Sequence, residues 1–90
     1  MTTESVPQAR LAIPPGEFLK EELLARRMTQ RQLAAQIGRP VHAVADVVRA
    51  RRAITPSFAL DLERALGASA EFWLNLEARY QLTLLRQRSA

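Results

Sequence analysis

The segment from Thr29 to Val48 limits what this chain can fold into more than any other. Thr29 stands three residues before Gln32. At that spacing a hydroxyl accepts from the Gln32 backbone N–H while the Gln32 side chain reaches back to the Thr29 amide. Met28 and Leu33 bracket this helix start as a hydrophobic staple. Leu33, Ala34 and Ile37 give the helix a short buried stripe, and Gly38 ends it, because glycine takes a left-handed conformation without a Cβ clash. Pro40 opens another helix almost at once, with Val44, Val47 and Val48 on one face.

The pattern predicts two short helices joined by a tight glycine-containing turn, the second crossing the first, which is the helix-turn-helix unit. Each small or branched residue has a reason for its place. Ala34 must be small where the next helix crosses, Gly38 must take a positive φ, and Val44 and Val47 clamp the second helix to the core.

The flanks read as helix as well. Pro14-Pro15-Gly16 marks a boundary, and a first helix is expected from Pro15 to about Arg27, with Phe18, Leu19, Leu23 and Leu24 at helical spacing. Thr55-Pro56 caps and starts a fourth helix with Phe58, Leu62, Ala65 and Leu66 inward and Gly67 after it. Ser69 caps a fifth, expected to run to about Arg86. Ninety residues, 48% of them hydrophobic, suffice for one small domain. No alternating β-branched run competes, so the expected fold is all-α, a five-helix domain over residues 14–90 behind a flexible arm over residues 1–13.

Composition removes several function classes. The chain has no cysteine, which excludes disulfide frameworks, zinc ribbons and thiolate nucleophiles. His42 is the only histidine, with neither a ligand set nor a nucleophile beside it, so no metal, cofactor or catalytic group is expected and the chain does not read as an enzyme. Residues 1–13 lack the apolar run of a signal peptide, and no stretch approaches a membrane span; a soluble, cytoplasmic protein is expected.

Charge is unevenly spread. Residues 25–55 carry Arg26, Arg27, Arg31, Arg39, Arg49, Arg51 and Arg52 against Asp46 alone, while the flanking thirds are acidic or neutral. A charge cluster by itself is commonly a solvated face, but its coincidence with the helix-turn-helix unit points to a polyanion. The fifth helix has apolar residues on more than one face, from Phe72 to Leu85. Two readings stay open: a core helix wrapped by the domain, or one stripe packed inward and Phe72, Trp73, Leu76 and Tyr80 contributing to a homodimer seam.

At this level the sequence resembles the lambda-repressor-like (XRE) helix-turn-helix proteins, and within them the HigA-type antitoxins. The resemblance rests on Pro15-Gly16-Glu17-Phe18-Leu19, Thr29-Gln30 with Leu33-Ala34, and Ile37-Gly38-Arg39-Pro40-Val41. It continues through Ala53-Ile54-Thr55-Pro56 and Ala65-Leu66-Gly67 to Glu71-Phe72-Trp73-Leu74-Asn75-Leu76, the segment that separates this branch from generic repressors. It implies a dimeric antitoxin that binds a palindromic operator in double-stranded DNA and neutralises a RelE/HigB-like ribonuclease toxin. A stand-alone repressor without a toxin, and a toxin-sequestering module that does not bind DNA, are the competing readings.

Carried onto this chain, the resemblance makes Gln30 a phosphate contact at the start of the second helix, with Arg51 and Arg52 gripping the backbone. Val41, His42 and Asp46 would face base edges in the major groove, with Arg39 and Ala43 beside them and Arg49 near the helix end. His42 also reads as an exposed, silent side chain, and Asp46 as a partner that orients Arg49 or Arg39. One departure stands out. Relatives commonly carry Asn-Gly after the reading helix, whereas Arg49-Ala50-Arg51 stands here, which predicts a differently shaped end because Ala50 takes a positive φ less cheaply than glycine.

Overall fold

The computed structural model describes residues 11–89, so most of the expected arm lies outside the described residues. Among these residues the chain forms five helices and no strand. They are α1 (Pro15–Ala25), α2 (Gln30–Ile37), α3 (Val41–Val48), α4 (Pro56–Leu66) and α5 (Ala70–Ser89).

Each helix begins and ends on a local device. Pro14 caps α1 and Pro15 occupies its first turn. The helix stops at Ala25, earlier than expected, because Arg27 turns left-handed at φ 55. Met28 N–H then bonds Leu23 O at 2.9 Å and Arg27 N–H bonds Leu24 O at 3.1 Å, the two bonds of a Schellman closure. Both halves of the capping box on α2 are made: Gln32 N–H donates to Thr29 Oγ1 at 3.0 Å, and Thr29 N–H donates to Gln32 Oε1 at 2.8 Å.

Gly38 takes φ 70, and Arg39 N–H closes on Ala34 O at 3.0 Å. Pro40 caps α3 from outside with extended backbone rather than opening its first turn. Thr55 Oγ1 accepts from Phe58 N–H at 3.2 Å to start α4, and Ser69 Oγ accepts from Phe72 N–H at 3.0 Å in the first turn of α5. Glu63 reaches from α4 to accept from Ala70 N–H at 2.7 Å.

The core gathers Leu19 and Leu23 of α1, Leu33 and Ala34 of α2, Val44 and Val47 of α3, Phe58, Ala59 and Leu62 of α4, and Trp73 of α5. Phe18 and Leu24, expected to share the apolar stripe of α1, are instead exposed, Leu24 at 69%, and of that stripe Leu19 and Leu23 alone reach the core. Gly16 is where α1 meets the end of α3. A Cβ there would lie 2.2 Å from Val47 O and 2.6 Å from Val48 O, so only glycine lets the two backbones meet.

Helix α5 is buried at its start and exposed along its second half. Its first turn goes inward at Ala70 and Trp73, while Leu82 and Leu85 in its second half remain about half exposed. Twenty residues make it about 30 Å long, more than the other four helices cover.

Candidate nucleic-acid interface

Helix α3 presents one face to solvent and one to the core. His42 and Arg49 are exposed, and Val41, Ala45 and Asp46 are half-buried; His42, Ala45, Asp46 and Arg49 recur at the three- and four-residue spacing of one stripe. Ala43, Val44 and Val47 are buried on the opposite side. This corrects the expectation for Ala43: at 3% exposure it packs in the interior and has no surface to offer a base. The alanine on the outward stripe is Ala45, and its position three residues after His42 is the signal that marks it.

The expectation for Arg39 also changes. Its Nε donates to Asp61 Oδ2 at 2.6 Å, its Nη2 donates to Ser57 Oγ at 2.8 Å, and its guanidinium lies 5.1 Å from the centre of the Phe58 ring. All three partners belong to α4, so Arg39 ties the turn before α3 to the following helix instead of standing free beside the bases. Asp46 pairs with neither Arg49 nor Arg39. Its Oδ2 lies 3.9 Å from Arg52 Nη2, which sets an acidic and a basic side chain together at the edge of the stripe.

Gln30 is the first residue of α2 and is half-buried; Arg31 beside it is exposed, a position that the motif spacing does not mark. Arg51 and Arg52 stand exposed in the loop after α3. That loop is pinned twice: Arg51 N–H bonds Asp46 O at 2.7 Å, and Ile54 N–H donates to Glu77 Oε1 of α5 at 2.9 Å. Ala50 sits between with φ 61 and donates its N–H to Val47 O at 3.1 Å. The end of α3 therefore keeps the left-handed Schellman closure that glycine would favour, contrary to the expectation of a different shape.

The seven arginines of residues 25–55 divide into two groups. Arg26 is paired with Glu22 at 2.6 Å and also bonds the Leu66 carbonyl, Arg39 is held by Asp61, and Arg52 leans on Asp46. Arg27, Arg31, Arg49 and Arg51 are exposed with no ion pair among the described residues. The available positive charge thus lies in the segments before and after α3, Arg27 and Arg31 at the start of the helix-turn-helix unit and Arg49 and Arg51 at its end. Among the described residues no cluster of three or more His, Asp or Glu side chains forms a metal site, and no helix is long and apolar enough to cross a membrane.

The residues expected at a dimer seam separate as well. Trp73, at 2% exposure, belongs to the core of its own chain and is withdrawn from any seam; its ring meets Phe72 edge-on at 5.1 Å. Phe72 is 41% exposed, and Leu76 and Tyr80 are half-buried. Leu76 and Tyr80 line an open apolar groove with Leu11, Ile13 and Phe18.

Comparison with known proteins finds likenesses in sequence and in fold. A family model described as helix-turn-helix matches residues 19–73. The virulence-associated protein I of Dichelobacter nodosus is 36% identical, over 84% of this chain and 71% of its own length. Among solved structures, an addiction module antidote protein of a HigA family from Coxiella burnetii superposes with a TM-score of 0.82 at 37% identity, covering 86% of this chain and 85% of its own. The Pseudomonas aeruginosa antitoxin HigA, solved with the higBA promoter, gives 0.83 at 33% identity, covering 87% and 86%.

Proposed function

Because this chain belongs to the helix-turn-helix family and to its HigA-type antitoxins, we propose that it is an antitoxin and transcriptional autorepressor, a binding protein rather than an enzyme. In this reading it binds a palindromic operator as a dimer in the cytoplasm and neutralises a RelE/HigB-like ribonuclease toxin. The observation that carries the DNA half is the outward stripe of α3, with Arg31 at the start of α2 and Arg49 and Arg51 at its far end. The relative solved with promoter DNA supports it.

The chemistry follows from the positions. Gln30 and the first amides of α2 meet one phosphate, and Arg51 with Arg52 holds the backbone on the other side. Between them, Val41 offers apolar contact to a thymine methyl, His42 a donor to guanine, and Asp46 an acceptor to cytosine N4. Phe72, Leu76 and Tyr80 supply the apolar surface for a second copy. The toxin half rests on family membership, and co-purification with the product of the adjacent reading frame tests it.

Footprinting tests the DNA half: purified protein should protect a palindrome in its own promoter, with half-site centres about 34 Å apart. Arg51→Ala with Arg52→Ala should weaken binding to every sequence and flatten the log–log salt slope by about 0.9 for each phosphate no longer neutralised. His42→Ala should change sequence preference and leave that slope alone. A promoter left unprotected at low salt and micromolar protein would sink the reading.

A further inference from the structure

Arg39 is the cation nearest the entrance to α3, and it is the most constrained of the seven arginines. Its side chain is 27% exposed and that of Asp61 is 20% exposed, and the two meet at 2.6 Å. Its Nη2 donates to Ser57 and the guanidinium lies over the Phe58 ring, so two of its three nitrogens donate into α4. Asp61 also stands 4.0 Å from Arg64 Nη1, but Arg64 is 75% exposed and loosely placed. A free arginine at this position would offer a phosphate contact available on any sequence, because the phosphate backbone carries no sequence information.

We propose that Asp61 is a positioning residue that acts through Arg39, holding this cation on α4 and away from DNA so that the α3 stripe docks without a sequence-independent contact at its entrance. The proposal rests on the DNA-binding reading above. Non-specific affinity comes almost wholly from neutralised phosphates, so a cation held back lowers binding to random DNA and its dependence on salt. Asp61 lies 22 residues from Arg39, outside the helix-turn-helix unit, and limits how strongly that unit holds the phosphate backbone.

The test measures binding of the full chain to a random-sequence duplex as a function of salt, with thermal melts to establish that each variant is folded. Asp61→Asn should steepen the log–log salt slope by about 0.9, so that the loss of affinity between ~50 and ~200 mM salt grows roughly 3.5-fold. Asp61→Glu keeps the charge and should retain the original slope. Arg39→Gln, which keeps much of the stem over Phe58, should leave the slope of the otherwise unaltered chain unchanged and cancel the gain in the Asp61→Asn background.

A slope that falls by about one unit with Arg39→Gln alone would mean that Arg39 already grips a phosphate, and overturns the proposal. A gain from Asp61→Asn that survives Arg39→Gln belongs to Arg64 and overturns it too, and so does an unmoved slope in folded Asp61→Asn. Arg39→Gln alone still decides if the Asp61 variant fails to fold. Absence of any duplex binding by the unaltered chain would overturn the DNA reading, and this inference with it.

Discussion

Among the described residues Ala50 is one of two other than glycine that take a positive φ, the second being Arg27. At φ 61 its Cβ crowds the following carbonyl, a cost of roughly 1–2 kcal/mol, set against the two hydrogen bonds that its turn closes. Ala50→Gly removes the crowding and returns part of the gain as unfolded-state entropy, so a net stabilisation of about 0.5–1 kcal/mol is expected, read as a higher urea midpoint at unchanged slope. Gly16 has the opposite constraint. Gly16→Ala forces α1 away from the Val47 and Val48 carbonyls and should destabilise by about 1–3 kcal/mol in the same experiment.

Among elements, the junction between α5 and the basic loop bears most on function. Glu77 accepts from the Ile54 amide with one carboxylate oxygen and from the Gln81 side chain at 2.7 Å with the other, so α5 fixes where the loop leaves α3. Glu77→Ala leaves that amide without its acceptor. A loss of about 1–2 kcal/mol is expected, with faster hydrogen exchange at Ile54 and at the loop amides before it.

Long-range bonds of this kind mark the boundary of what is legible in the sequence. The α2 cap, the Gly38 turn and the Thr55-Pro56 start are legible because their partners lie within a few residues of each other. The inward valines of α3 are legible from period alone. The Arg39–Asp61 pair and the bond from Arg26 to the Leu66 carbonyl join residues 22 and 40 positions apart, and nothing local announces them. Ala43 is misplaced by sequence reasoning for a related cause: alanine has so little apolar surface that periodicity does not say which side of a helix it faces.

At the scale of the whole molecule the domain is elongated, 46 Å by 24 Å by 20 Å, with α5 the longest of the five helices. Leu82 and Leu85 on its second half, and the groove between α5 and residues 11–18, leave apolar surface that a second copy would cover. Sedimentation equilibrium at micromolar protein should return a dimer. Leu76→Glu with Tyr80→Glu should return a folded monomer, and an unaltered chain that stays monomeric on DNA would refute the two-fold arrangement.

Trp73, removed from that seam, acquires a different use. It is the only tryptophan, and it sits at 2% exposure in the core beside residues of α1 and Phe72. Its emission is therefore a built-in optical gauge of whether α5 is docked on the bundle. Undocking wets the indole and shifts the spectrum to the red, so folding can be followed on the unlabelled chain.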